Sequence, residues 1–197
     1  KKRGLDLCTV CSEALPYPDQ TDMKDIFACF QYHDPAIKKL LHMLKYYKRK
    51  SIGELFGKYM YERLIEEISE IKTFTAGGKI LLIPIPITKN RLRERKYNQA
   101  EEIAKGLMLN DKEKIFELAK DVIVKNKDTL PQARIKNRNK RLKNVIGCFV
   151  INKKSFIRNR TIIVIDDVTT TGGTINEAIK ILKKSGAKKV IGFAIAH

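Results

Sequence analysis

Between Thr161 and Gly186 the chain reads as one unit that few folds accommodate: a buried strand, a turn dense in acids, threonines and glycines, and an amphipathic helix. Ile162, Ile163, Val164 and Ile165 are successive β-branched apolar residues, the pattern of a strand covered on both faces in a parallel sheet. Asp166 and Asp167 follow, then Val168, Thr169, Thr170, Thr171, Gly172, Gly173 and Thr174. Ile175, Ala178, Ile179 and Leu182 recur at helical spacing, and Gly186 stands where a glycine ends a helix. Ligands of open α/β sheets bind at the carboxyl ends of the strands. A helix N-terminus presents N–H groups and partial positive charge, which suits a phosphate. Glycine lets the backbone approach closely, and threonine hydroxyls add donors. The two acids would repel a phosphate unless they accept hydrogen bonds from the hydroxyls of a sugar that carries it, with a nearby Mg²⁺ offsetting the charge. The stretch is therefore expected to cradle a ribose 5-phosphate. Asp166 and Asp167 would take the diol, Thr170 to Thr174 the phosphate, and Thr169 would belong to the same loop. Neither G-x-x-x-x-G-K-[ST] nor G-x-G-x-x-G occurs.

Upstream, strand and helix patterns alternate, which implies a central, mainly parallel sheet flanked by helices. Ile26 to Tyr32 reads as a strand. Asp34-Pro35 supplies an N-cap and a first-turn proline for a helix whose Ile37, Leu40, Leu41 and Leu44 face the core. Ser51-Ile52-Gly53-Glu54 has the form of a capping box for a second helix running to about Ile71. Ile80 to Ile85 is a buried-type strand, followed by Pro86 and a basic loop. Asn98 to Leu109 reads as a helix, and Val122–Val124, Cys148–Ile151 and Val190–Ala196 as strands. Residues 126–144 are polar and basic without apolar periodicity, which predicts a long mobile loop. Residues 25–197 form the main domain of this reading, and residues 1–24 a short segment carrying Cys8-Thr9-Val10-Cys11.

That pair has metal-ligand spacing, but a zinc ribbon needs a second one. A partial Zn²⁺ site at Cys8 and Cys11 and an empty remnant both remain open. Cys29 and Cys148 lie in apolar runs and read as core residues. Forty lysines and arginines against 22 acids give a net charge of +18, which favours polyanionic partners: a phosphorylated substrate, nucleic acid, or both. No apolar run approaches the length of a membrane span and no signal-type core follows the first residues, so a cytoplasmic location is expected.

The Asp166–Thr174 stretch resembles the phosphoribosyl-pyrophosphate signature of type I phosphoribosyltransferases. More narrowly, the chain is similar to the ComF family, linked to natural competence and DNA uptake. Ile83-Pro84-Ile85-Pro86 with Arg91-Leu92-Arg93-Glu94-Arg95-Lys96-Tyr97-Asn98-Gln99-Ala100 resembles that family's basic loop. Thr129-Leu130-Pro131-Gln132, with Arg138 and Arg141-Leu142-Lys143-Asn144, resembles its second signature. Cys8 and Cys11 lie where such proteins carry the end of an N-terminal zinc module. The resemblance implies the type I phosphoribosyltransferase fold and 5-phosphoribosyl-1-pyrophosphate with Mg²⁺ as ligand. It puts pyrophosphate against Thr88, Lys89 and Arg91, with Arg93, Arg95, Asn98 and Gln99 lining or bracing that wall. Gln132, Arg138, Arg141 and Asn144 would belong to the loop that closes over the reacting centre.

Two functions follow. In the first, the protein is an enzyme of phosphoribosyl transfer, with Asp166 and Asp167 as its central acids. In the second, it is a non-catalytic competence protein that holds single-stranded DNA, works with DNA-uptake or helicase proteins, and keeps the phosphoribosyl site as a ligand or structural element. Tyr46-Tyr47-Lys48-Arg49-Lys50 has the mixed aromatic and cationic make-up of a base-stacking platform, and equally that of a solvated helix end.

Overall fold

Apolar β-branched runs and amphipathic helices leave this chain one economical arrangement, a sheet covered on both faces, and the computed structural model shows it. It describes residues 23–47, 49–75, 78–127, 137, 142, 144–152 and 154–197. Cys8, Cys11, Gln132, Arg138 and Arg141 lie outside the described residues, as does nearly all of the segment 1–24.

Strands β1 (Ile26–Phe30), β2 (Ile80–Pro84), β3 (Phe116–Leu118), β6 (Thr161–Val168) and β7 (Lys189–Ala196) form one sheet in the order β1-β7-β6-β2-β3. Every neighbouring pair is parallel. β4 (Ile123–Lys125) and β5 (Phe149–Ile151) pair antiparallel beside it. The helices are α1 (Pro35–Tyr46), α2 (Lys50–Thr75), α3 (Lys89–Arg95), α4 (Gln99–Asn110), α5 (Lys154–Ile157) and α6 (Gly173–Lys184). Among the described residues, no helix is long and apolar enough to cross a membrane.

Side-chain alternation sorts the core into two layers. Ile163, Ile165, Ile80 and Leu82 face one side of the sheet, where they pack with Ile37, Leu41 and Leu44 of α1, Phe56 and Met60 of α2, and Ile103 and Leu107 of α4. Ile162, Val164, Leu81 and Ile83 face the other, against Ile175, Ala178, Ile179 and Leu182 of α6 and Phe149 of β5. Cys29 and Cys148 are buried, one in each layer, and burial pushes both thiols up in pKa. They are core residues, as their apolar surroundings imply.

Several elements have the local causes read from the sequence. The Asp34 side chain accepts hydrogen bonds from the N–H groups of Ala36 and Ile37 at 2.8 and 3.0 Å, ahead of Pro35 in the first turn of α1. Gly186, at φ 96°, follows the end of α6. Three readings change. α2 opens at Lys50, so Ser51 lies inside its first turn rather than at the cap. The basic stretch after β2 is a short helix, α3, because Thr88 caps it: its Oγ1 accepts from Arg91 N–H at 3.4 Å. β6 does not stop at Ile165 but continues through Asp166 and Asp167 to Val168, paired with β7 as far as Ala196.

Candidate ribose-phosphate site

The strand order creates a crevice. β2 leads through α3 and α4 to β3 on one side, while β6 leads through α6 to β7 on the other. Neighbouring strands whose crossovers diverge leave an open gap at their carboxyl ends, the usual ligand position in open α/β sheets. Here those ends are joined, since Ile85 N–H donates to the Ile165 carbonyl at 2.8 Å. The chain therefore leaves β2 alongside β6 at the residue before Asp166.

Strand alternation gives the two acids different faces. Asp167 continues the face of Ile163 and Ile165, beneath α1, where its Oδ2 lies 2.9 Å from Lys45 Nζ. The partners are mostly shielded, with side chains 13% and 23% exposed respectively. Asp166 continues the face of Ile162 and Val164, and its Oδ1 accepts from the N–H of Asp167 at 2.8 Å. Burial, then the charge of Asp167, raises the Asp166 pKa to about 7, against the opposing pull of that hydrogen bond and of Lys45 and Lys125. Burial works against the charge of Lys45, but Asp167 and then Asp166 more than offset it, and its pKa is raised despite the nearby Arg95.

Past the acids, Thr169 is buried, with its N–H on the Ala196 carbonyl at 2.9 Å. Gly172 occupies the N-cap of α6 at φ 70°, with no side-chain cap bond. A Cβ at Gly172 would come within 2.6 Å of Met23 Sδ and 3.1 Å of Ile26 Cδ1, so conformation and space both ask for glycine. Gly173 is buried at the start of the helix, Thr171 and Thr174 are half-buried, and Thr170 is exposed. The positive end of the α6 dipole thus faces the loop 169–172, beside the acids.

On the other wall, Thr88 is 6% exposed and Lys89 stands exposed at the first position of α3. Arg91 is half-buried and Arg93 exposed. Arg95 Nη1 donates to Gln99 Oε1 at 2.9 Å, and its guanidinium sits 5.8 Å from the Tyr46 ring centre. Asn98 bonds the Ile85 carbonyl through Nδ2 at 2.8 Å and caps α4 through Oδ1 on Ala100 N–H at 3.1 Å. Asn98 and the buried Gln99 thus brace the wall, while Lys89, Arg91 and Arg93 supply its charge. Asn144 is half-buried beside Val145, which touches the position a Cβ would take at Gly173.

Lys45 is the site residue that sequence reasoning missed. It lies one turn past Leu41, on the stripe of Ile37, Leu41 and Leu44 that faces the core. A lysine continuing a buried stripe needs an anionic partner, and that was the available signal.

A family model described as a phosphoribosyl transferase domain matches residues 97–197, just over half of the chain. The Competence protein ComFC of Streptococcus pneumoniae is 27% identical over 86% of this chain and 67% of its own. Competence protein F of Haemophilus influenzae is 30% identical over 59% of this chain and 49% of its own. The DNA utilization protein YhgH of Escherichia coli K12 is 24% identical over 79% of this chain and 65% of its own. The chain thus spans about half to two thirds of the length of these relatives.

Proposed function

As the chain belongs to the phosphoribosyltransferase-domain family and, within it, to the ComF group, we propose that it binds 5-phosphoribosyl-1-pyrophosphate with Mg²⁺ at the carboxyl ends of β2 and β6. The observation that carries this reading is the shielded acid pair at the end of β6, followed directly by a glycine-opened helix N-terminus. A sugar diol meets Asp166 and Asp167, and its 5-phosphate meets residues 170–174. Pyrophosphate then lies toward Lys89 and Arg91, where Arg can pair with its oxygens through two N–H groups.

Among the described residues, no cluster of three or more His, Cys, Asp or Glu is placed to hold a metal ion. Asp166 or Asp167 would suit Mg²⁺, which is held by as few as one carboxylate and draws its other ligands from water and substrate phosphates. Bound in that way, it supplies charge neutralisation to the leaving pyrophosphate. The protein's own part is positioning and electrostatics. The bond from ribose C1 to the pyrophosphate oxygen breaks with its electron pair on oxygen, and a nitrogen nucleophile forms the new bond at C1. The names of the relatives extend the proposal to a role in handling incoming DNA.

Calorimetric titration with phosphoribosyl pyrophosphate, with and without Mg²⁺, is the direct check. Saturable binding that Mg²⁺ strengthens is expected. A folded protein that takes up no ligand at millimolar concentration sinks the reading.

A second reading, single-stranded DNA binding, is favoured by one feature of α1. Tyr46 and Tyr47 are 61% and 65% exposed, and the His42 ring lies 4.7 and 5.7 Å from theirs. Lys39, His42, Met43, Tyr47 and Arg49 line an open cleft of about 330 Å³ beside them. Such a surface offers ring faces to bases and cations to phosphates. Replacing Tyr46 and Tyr47 by alanine is expected to weaken oligonucleotide affinity roughly 30-fold or more, at about 1–3 kcal/mol per stacked base. Unchanged, salt-insensitive affinity in that variant removes α1 from consideration.

A further inference from the structure

Lys45 reaches the acids of β6 from α1, and its surroundings describe a cation with two destinations. Its ammonium is 2.9 Å from Asp167 Oδ2, on the carboxylate that the proposed function gives to the sugar diol. A diol donating to Asp167 competes with that ammonium for the same oxygen lone pairs. The end of α1 is tied to the opposite wall, because Tyr97 Oη donates to the Leu44 carbonyl just past α3. The Lys45 backbone is thereby held beside the Arg95–Tyr97 end of the wall whose Thr88, Lys89 and Arg91 would meet pyrophosphate. Arg95 on that segment is close enough to act against the charge of Lys45, so an anion between them relieves a like-charge repulsion. Lysine is suited to such a change, being a compact charge on a flexible four-carbon stem with three donors. The charged groups acting on Lys45 are Asp167 and Asp166 of β6 and Arg95 of α3, and Lys125 of β4 acts on Asp166.

Resting on the phosphoribosyl reading, we propose that Lys45 is a partner-changing counter-ion. With the site empty it neutralises Asp167, and when a diol takes Asp167 it turns to the ligand's pyrophosphoryl oxygens on the Thr88–Tyr97 wall. The empty site thus keeps its acid in a folded, neutralised state, and the same cation contributes affinity only for a ligand that carries both diol and pyrophosphate.

Two ligands separate this role from a structural one. Ribose 5-phosphate carries the diol without pyrophosphate, and phosphoribosyl pyrophosphate carries both. Lys45→Met is expected to weaken phosphoribosyl pyrophosphate about tenfold or more while leaving ribose 5-phosphate affinity unchanged or tighter. Equal weakening of both ligands makes Lys45 structural and overturns the proposal, as does no effect on either. Should Lys45→Met fail to fold, the wild-type protein still decides through the ¹⁵N resonance of the Lys45 ammonium. It is expected to move when phosphoribosyl pyrophosphate saturates the site, and a resonance unmoved at saturation overturns the proposal. A wild type that binds neither ligand overturns both the phosphoribosyl reading and this one. A wild type that binds both, with equal losses in Lys45→Met, overturns this one alone.

Discussion

Replacing Asp166 and Asp167 together by asparagine is expected to lower affinity for phosphoribosyl pyrophosphate at least 100-fold while the protein stays folded. A hydrogen bond to a charged group contributes about 1.5–3 kcal/mol, and the loss of two corresponds to roughly 10²–10⁴ in affinity. The single variants should part company in stability. The Asp166 pKa is raised from 3.8 to about 7. Whatever stability that carboxyl contributes is complete below pH about 4 and is lost as pH rises through about 7. Asp166→Asn has no such loss, so its melting temperature should exceed the wild type's at pH 8 and match it at pH 4. Asp167→Asn leaves Lys45 shielded without its carboxylate and should melt below the wild type at pH 8. A double variant that binds as tightly as a wild type competent to bind would remove the acids from the site. Melting curves at the two pH values, alongside calorimetry, measure both effects.

The parts of this molecule that could be read in advance are those whose cause is local. β6 and α6 announce themselves because four β-branched residues can only be a buried strand and the Ile175, Ala178, Ile179, Leu182 stripe only one face of a helix. Asp34-Pro35 opens α1 through chemistry contained in a few residues. The missed elements have distant causes. β3 is three residues on the sheet edge, paired to β2 alone, too short to show a period. α3 buries none of its residues, so it lacks an apolar stripe, and it ends at Lys96 in the left-handed conformation where a glycine would have marked the stop. β6 runs past Ile165 because β7 pairs with it there, and nothing in Asp166-Asp167 foretells that register. The same holds for the site. The acids, threonines and glycines of the candidate site are contiguous in the chain and so could be proposed from it, whereas Lys45 arrives beside them from another helix through the packing of α1 on the sheet.

Gly53 shows how a locally sensible reading can hide a packing requirement. In sequence it sits in a capping-box pattern, but in the fold it belongs, with Gly57, to the seam where α2 meets α4. A Cβ at Gly57 would lie 2.3 Å from the Gly106 carbonyl carbon and 2.3 Å from Leu107 N. A Cβ at Gly106 would lie 2.5 Å from the Gly53 carbonyl oxygen and 2.6 Å from Glu54 Cα. The obstacles are backbone atoms of two helices, which no rotamer change can move. Helix propensity alone favours alanine over glycine by about 1 kcal/mol. The clash opposes that gain, and overpacking typically costs about 1–3 kcal/mol, more where the backbone must shift. Gly57→Ala is therefore expected to destabilise the protein by about 3 kcal/mol, a fall in melting temperature of roughly 6–12 °C for a domain of this size. Lys58→Ala, on the exposed face one residue on, should change stability by about 0.5 kcal/mol or less. The consequence reaches the site, because α4 carries Gln99 and follows directly on Asn98, which ties the wall to the end of β2. Pushing α4 off α2 should loosen that wall, so phosphoribosyl pyrophosphate affinity is expected to fall with Gly57→Ala below its melting point and to hold with Lys58→Ala. If Gly57→Ala melts with or above the wild type, propensity has outweighed contact, and the two helices do not meet backbone to backbone.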